Sequence, residues 1–388
     1  MKIDFYNCPQ PEVLDPARLP AAPEFVSYQP DFELIKKYSA QYEKYPKLLI
    51  LAHGGSLTTF YGYYAALKYQ AKKEVFFLNT VDPDYIYELK QQLKPEDTLV
   101  LSISKSGENT TQLEMTMQFA EYPMVAVAGK NSPLAEVARK LNISVVEHPP
   151  IGGRYTGLTE VALFPAGLVG LDVASLYAGA KKFYGLYAQD NLPWRAASVF
   201  WQLEQQGYVD VFMPFYSHNL FPMSALIVQL CHESFGKNGK GQTYFAHEAP
   251  ESQHHTNQRF FGGRKNIAGL FFSSEAPLHP TVNSYPAAVH SVAIKNHAMF
   301  DIDKIPLEKS LEYELLGTLE DARINSIPVA HMAIAGFSPE ELGAFVAFWQ
   351  LYAVYASVLR QVNPFDQPQV ENSKNLSFSK RLAYKGLA

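Results

Sequence analysis

The stretch Asp97–Glu114, DTLVLSISKSGENTTQLE, concentrates side chains that could hold an anion. An apolar run, Thr98–Ile103, leads into Ser104, Lys105, Ser106, Gly107, Asn109, Thr110 and Thr111, and a helical pattern follows. Hydroxyls, free backbone N–H groups and the positive end of a helix together make a seat for a phosphate group. An ordinary helix cap needs one side-chain oxygen, and this loop offers several. No GxxxxGK[ST] run occurs, so the loop is not that of a P-loop nucleotide enzyme.

Other candidates lie further along. Gly152-Gly153-Arg154 pairs glycines that permit close backbone approach with a guanidinium whose fixed fork of donors suits an anion. The competing reading is a structural arginine pinned by a carboxylate. Glu233 closes an apolar helical run, where burial can raise a carboxylate toward the range of a useful base; a solvated helix-end glutamate is the plainer alternative. His247, His254 and His255 cluster, but their spacing is not HExxH and no cysteine joins them, so one histidine acting as acid or base is favoured over a metal site. Lys374 lies in a polar tail, where a lysine is ordinarily a solvated charge.

The elements that must position these groups follow from periodicity. Apolar runs at Leu48–Ala52, Val75–Leu78, Thr98–Ile103, Met124–Ala128 and Ile143–Val146 alternate with helical patterns at 56–69, 85–93, 111–120 and 133–141. That alternation predicts a doubly wound parallel sheet, an α/β fold. Ligands bind such sheets beyond the carboxyl ends of the strands, where both Gly54-Gly55-Ser56 and the loop at 104–111 fall. The two loops point to one shared pocket. A second strand–loop–helix half is expected from about Leu192, with strands at 208–213, 266–272 and 289–295 and a helix at 221–231. Pro339–Leu359 reads as a helix apolar almost all round, hence buried. Val161–Ala180 reads as a buried helix broken near Pro165, not as a membrane span. The expected organisation is an arm at 1–45 with one short helix inside 31–44, domains at 46–190 and 191–362, and a tail at 363–388.

Composition limits the function classes. The 388 residues exceed one typical core, and 47% hydrophobic with 18% charged residues is a globular balance. The net charge of −5, without a dense basic patch, gives a nucleic-acid partner no electrostatic footprint. Two cysteines, Cys8 and Cys231, suggest neither a disulfide framework nor a zinc site. The opening MKIDFYNCPQPE lacks the apolar core of a signal peptide, and a cytoplasmic location is expected.

GGRYT, HESFGKNGKG, SQHH and NPFDQPQVENSK, in this order, resemble glucose-6-phosphate isomerases, whose members share two sugar-isomerase (SIS) domains. The resemblance spans roughly Leu48 to Lys374. It implies two SIS-type domains and the interconversion of glucose 6-phosphate and fructose 6-phosphate through a cis-enediolate, with neither metal nor redox cofactor. By the same resemblance Glu233 is the base that moves a proton between C2 and C1, and Arg154 stabilises the enediolate. His254 assists ring opening, joined by Lys374 near the ring oxygen. Gly55, Ser56, Ser104, Lys105, Ser106, Asn109, Thr110 and Gln367 seat the phosphate end, and Gln229 faces the sugar. A homodimer is implied, with the histidine segment reaching the partner's site.

The chain departs from the pattern in places. Asn109 stands where a threonine is usual, which leaves Thr110 or Thr111 to take its role. Gln369 replaces a small residue, and prolines precede GGR. The remodelled histidine region leaves His255 and His247 as alternatives to His254. Two rival functions stand beside the isomerase: a dual phosphoglucose/phosphomannose isomerase, and a non-catalytic regulator that binds sugar phosphates. Glu233, Arg154 and Lys374 together argue against the regulator, since binding phosphate needs none of them.

Overall fold

The computed structural model describes residues 1–387. In chain order it opens with β1 (Lys2–Tyr6), α1 (Glu24–Ser27) and α2 (Phe32–Gln41). Then come β2 (Lys47–Ala52), α3 (Gly55–Leu67), β3 (Glu74–Leu78), α4 (Pro83–Gln92), β4 (Thr98–Ser104), α5 (Thr110–Gln118), β5 (Met124–Ala128), α6 (Pro133–Lys140) and β6 (Ser144–Glu147). Three helices follow: α7 (Glu160–Leu168), α8 (Val173–Tyr184) and α9 (Leu192–Gln205). The second half runs β7 (Asp210–Tyr216), α10 (Ser224–Phe235), β8 (Thr243–Glu248), α11 (Thr256–Gly262) and β9 (Ile267–Ser274). It continues with the two-residue strands β10 (Ala293–Ile294) and β11 (His297–Ala298), then α12 (Leu307–Ile324), β12 (Val329–Ile334), α13 (Pro339–Arg360) and α14 (Glu371–Tyr384).

Two five-stranded sheets carry the fold. The first has the order β3-β2-β4-β5-β6 with every pair parallel. Leu48 through Ala52 and Leu99 through Leu101 are fully buried, as strands covered on both faces must be. The chain steps outward from β2 to β3 and returns past β2 to β4, so the order reverses between β2 and β4. A crevice opens at such a reversal, beyond the carboxyl ends of the two strands. The second sheet has the order β1-β12-β9-β7-β8, parallel except for the antiparallel edge strand β1. Its four parallel strands repeat the order of the first sheet. The expected α/β class with two doubly wound, mostly parallel sheets is what the chain adopts.

The chain forms two compact units. One comprises Met1–Gln10, Gln202–Phe221 and Thr243–Phe337 and holds the second sheet; the other comprises Pro11–Trp201, Pro222–Gln242 and everything from Ser338 onward and holds the first. Within the latter, α13 packs on α8 and α10 and is buried from Leu342 to Ser357. It is long and apolar enough to cross a membrane, yet 94% of its apolar window is buried inside the fold. It is a core helix.

Several expectations need correction. The break expected near Pro165 comes about a turn later, since Pro165 sits inside α7. It falls at Gly170, whose φ of +85° ends the helix, and Asp172 then caps α8 through the Ser175 N–H. The stretch 289–295 is not a strand of the main sheet. It is a short turn and one arm of a tight hairpin that reverses at Lys295, where φ is +54°. The strand expected at 208–213 is shifted to Asp210–Tyr216. Strands β1, β8 and β12 have no counterpart in the sequence reading.

Candidate active site

Two glycine-bearing turns, one after β2 and one after β6, meet closely. Gly54 and Gly55 end β2 and open α3, while Gly153, Arg154 and Tyr155 form a single helical turn before α7. A Cβ on Gly55 would lie 2.2 Å from the Gly153 carbonyl carbon and 2.4 Å from the Arg154 nitrogen. Only glycine lets these backbones meet, and that contact fixes where Arg154 starts.

The Arg154 side chain is buried and uses all five N–H donors. Nε donates to Ser234 Oγ at 3.0 Å, and Nη1 to Glu233 Oε2 at 3.0 Å and to Gln367 Oε1 at 2.7 Å. Nη2 donates to the carbonyls of Pro364 and, at 3.1 Å, Asp366. Glu233 sits in the last turn of α10, its side chain 30% exposed against 2% for Arg154. Glu233 is therefore partly exposed and paired with a buried guanidinium, not enclosed in an apolar pocket. Its other oxygen accepts from Gln229 Nε2 at 2.9 Å, one helical turn earlier on the same face. Gln229 in turn accepts from Thr58 Oγ1 at 3.0 Å. Both carboxylate oxygens of Glu233 are thus held in fixed directions.

The tail segment that supplies Gln367 is pinned a second time. Lys237 is buried, and its Nζ donates to the Asn363 carbonyl, the Asp366 carbonyl and Asp366 Oδ1, each at 2.6 Å. Three acceptors satisfy all three ammonium donors. That ion pair holds the Asp366 carboxyl below its ordinary range. Tyr155 shares the cluster, its hydroxyl 2.9 Å from Ser234 Oγ, and burial pushes its pKa up to about 12.

The loop after β4 is ordered from within. Ser104 Oγ accepts from the Gly107 N–H at 3.1 Å, and Ser106 Oγ from the Glu108 N–H at 3.3 Å. Asn109 caps α5 by accepting from the Thr111 N–H, so one residue of the polar run is indeed an ordinary cap. Lys105 Nζ reaches the Pro150 carbonyl at 2.5 Å, which ties the loop to the segment before Gly152. Thr111 Oγ1 lies 2.7 Å from Asn109 Oδ1 and 3.1 Å from His53 Nε2, so it links the helix start to His53. Burial lowers the His53 pKa.

Arg154, Glu233, Gln229 and Gln367 therefore form one hydrogen-bonded group, and Gly55 abuts it. Ser56 lies half-buried at the start of α3, and Thr110 at the start of α5. Lys374 is not in the group: it is exposed on α14 and pairs with Glu371 at 2.8 Å. His247, His254 and His255 belong to the other compact unit. There His254 is exposed, His255 caps α11, and the His247 and His255 rings meet edge to face at 5.0 Å. The sequence reading passed over Thr58, Ser234, Lys237 and His53. Ser234 and Lys237 had a signal, since both lie in the motif HESFGKNGKG; Thr58 and His53 had none.

No family model matches the chain. Curated relatives do. It is 25% identical over 376 residues to a glucose-6-phosphate isomerase of Carboxydothermus hydrogenoformans, covering 87% of this chain and 79% of that one. It is 28% identical over 332 residues to a glucose-6-phosphate isomerase of Thermus thermophilus, covering 79% and 77%. Among solved structures, a hypothetical protein from Thermus thermophilus superposes with a TM-score of 0.82 at 26% identity, over 90% of this chain and 87% of the other. A glucose-6-phosphate isomerase from Chlamydia trachomatis shares the fold, with a TM-score of 0.76 at 20% identity over 91% and 73%. Along most of its length, this chain is similar to glucose-6-phosphate isomerases, the family its motifs resemble.

Proposed function

We propose that the protein is a glucose-6-phosphate isomerase that interconverts D-glucose 6-phosphate and D-fructose 6-phosphate through a cis-enediolate. The observation that carries the reading is the Glu233–Arg154 pair, built beside the strand reversal where the β4 loop could seat a phosphate. An aldose–ketose exchange needs a base able to return the proton it takes and a cation near the charge that develops. Glu233 is that base. As it takes the C2 proton, its negative charge passes to the enediolate, and Arg154, already beside the carboxylate, compensates either arrangement. Since every Arg154 N–H is engaged, the residue acts through its buried charge and not through a spare donor.

In this reading Ser56, Ser104, Lys105, Ser106, Asn109 and Thr110 bind the phosphate, with Gly55 allowing the close approach. Gln229 and Gln367 orient the sugar and the catalytic pair. Lys374 acts with His254 on ring opening, with His255 or His247 as the alternative histidine. The two sheets are the cores of domains 46–190 and 191–362. The protein works as a cytoplasmic homodimer. Gln229, locked onto Glu233, favours reprotonation on one face of C2 and so a product without mannose 6-phosphate.

Purified protein incubated with fructose 6-phosphate and a chelator tests this, with glucose 6-phosphate and mannose 6-phosphate followed separately. Glucose 6-phosphate alone is the expected product. Both sugars would move the protein to the dual-specificity class. Binding without either product would make it a regulator.

A further inference from the structure

The tail is anchored at two places with an unsupported stretch between them. The first anchor is the 363–367 segment, held by Arg154 and Lys237 as described. Beyond it, residues 368–380 are all exposed, and α14 has no buried residue. The second anchor is Arg381, which with Leu382 is the least exposed part of α14. Arg381 Nε donates to Glu114 Oε1 at 2.7 Å and Nη2 to Glu114 Oε2 at 2.8 Å. This is a parallel, two-bond fork onto a carboxylate, the arrangement in which an arginine fixes orientation as well as distance. Ser377 Oγ accepts from Arg381 Nη1 at 2.7 Å, which stiffens the arginine on its own helix. Among the described residues, no other side-chain hydrogen bond joins α14 to another element.

Glu114 stands on α5, one helical turn after Thr110, where the polar loop ends. Lys374 lies seven residues from Gln367 and seven from Arg381, midway between the anchors. Two turns of helix also place Lys374 and Arg381 on the same face of α14. We infer that Arg381 is a positioning residue: its fork onto Glu114 docks α14 against the helix that follows the phosphate loop and so sets where Lys374 stands. This rests on the isomerase reading and the role given there to Lys374. A single exposed ion pair ordinarily does little, but a helix that buries nothing has no stronger contact to overrule it.

The test compares wild type with Arg381→Ala, Lys374→Met, the Arg381→Ala/Lys374→Met pair, and the charge swap Glu114→Arg/Arg381→Glu. Isomerase kcat and KM are measured alongside amide hydrogen exchange across 371–387. Arg381→Ala should lower kcat about tenfold, since small misplacements of a catalytic group are amplified in rate. Exchange across α14 should rise in that variant while exchange across α10 stays unchanged. Adding Arg381→Ala to Lys374→Met should cause little further loss, because the arginine acts through the lysine. The charge swap should recover part of both the rate and the protection. Equal loss from Arg381→Ala with or without Lys374, or unchanged exchange across α14 alongside normal wild-type turnover, would overturn the inference. Wild type without turnover would instead overturn the isomerase reading, and with it the role of the clamp.

Discussion

Arg154 and Lys374 are both cations of family motifs, and the fold treats them in opposite ways. Arg154 is buried, held by five hydrogen bonds and started by a glycine contact that admits no side chain. Lys374 is half exposed on a helix that buries nothing and, among the described residues, pairs only with Glu371, one turn away. The difference separates a site that is ready before substrate arrives from a group that is held at arm's length. A cation that offsets charge in the transition state gains from being fixed in a site that water does not reorganise. In the proposed reading, Lys374 instead depends on whatever anchors its helix.

Substitution can break that comparison. Arg154→Met should have the largest consequence, leaving Glu233, Gln367 and two carbonyls without their shared donor. Such losses of a buried charged partner are about 3 kcal/mol, readable in urea unfolding, and the rate should fall at least about a hundredfold. Lys374→Met should leave unfolding within about 0.5 kcal/mol of wild type, as for exposed surface positions, while still slowing turnover. If both variants were equally destabilised, the contrast between a built site and a carried lysine would be lost.

Lys237→Met sharpens the comparison at the first tail anchor. It removes three bonds to the Asn363–Asp366 turn and should cost about 2 kcal/mol. The pH dependence carries a sign. Lys237 holds Asp366 below its ordinary value of 3.8, and Arg381 holds Glu114 below 4.5. For a depressed carboxyl, the stability it contributes is present above the unfolded value and is lost as pH falls through the folded one. Both tail anchors should therefore loosen below about pH 4. Lys237→Met should remove the first part of that acid loss, and Arg381→Ala the second.

How much was legible in the sequence differs between the sheets. All five strands of the first sheet read as short apolar runs, because a parallel sheet covered on both faces buries both sides of its strands, with a few polar residues such as Ser102 enclosed among them. In the second, β1 and β8 are edges with alternating or charged residues, as in KIDFY and TYFAHE, and β12 carries His331 in mid-strand. Their burial comes from the assembled sheet and not from a local pattern. The stretch 289–295 reads as a short apolar run, yet residues 291–295 are exposed, which its composition does not reveal. At the site, Arg154, Glu233, Gln229 and Gln367 were reached through motifs, but their mutual contacts join residues up to 213 positions apart and exist only in the fold. Thr58 serves that group by contact alone.

The most direct measurement is turnover of fructose 6-phosphate in deuterated water by wild type and Glu233→Gln. Wild type should yield glucose 6-phosphate carrying deuterium at C2, because the carboxyl that returns the proton exchanges with solvent. Glu233→Gln should lose roughly a hundred- to ten-thousandfold in kcat, the usual share of a positioned base, while still binding the sugar phosphate. Normal turnover with deuterium still entering C2 in Glu233→Gln would contradict the assignment of the base and the site built around it.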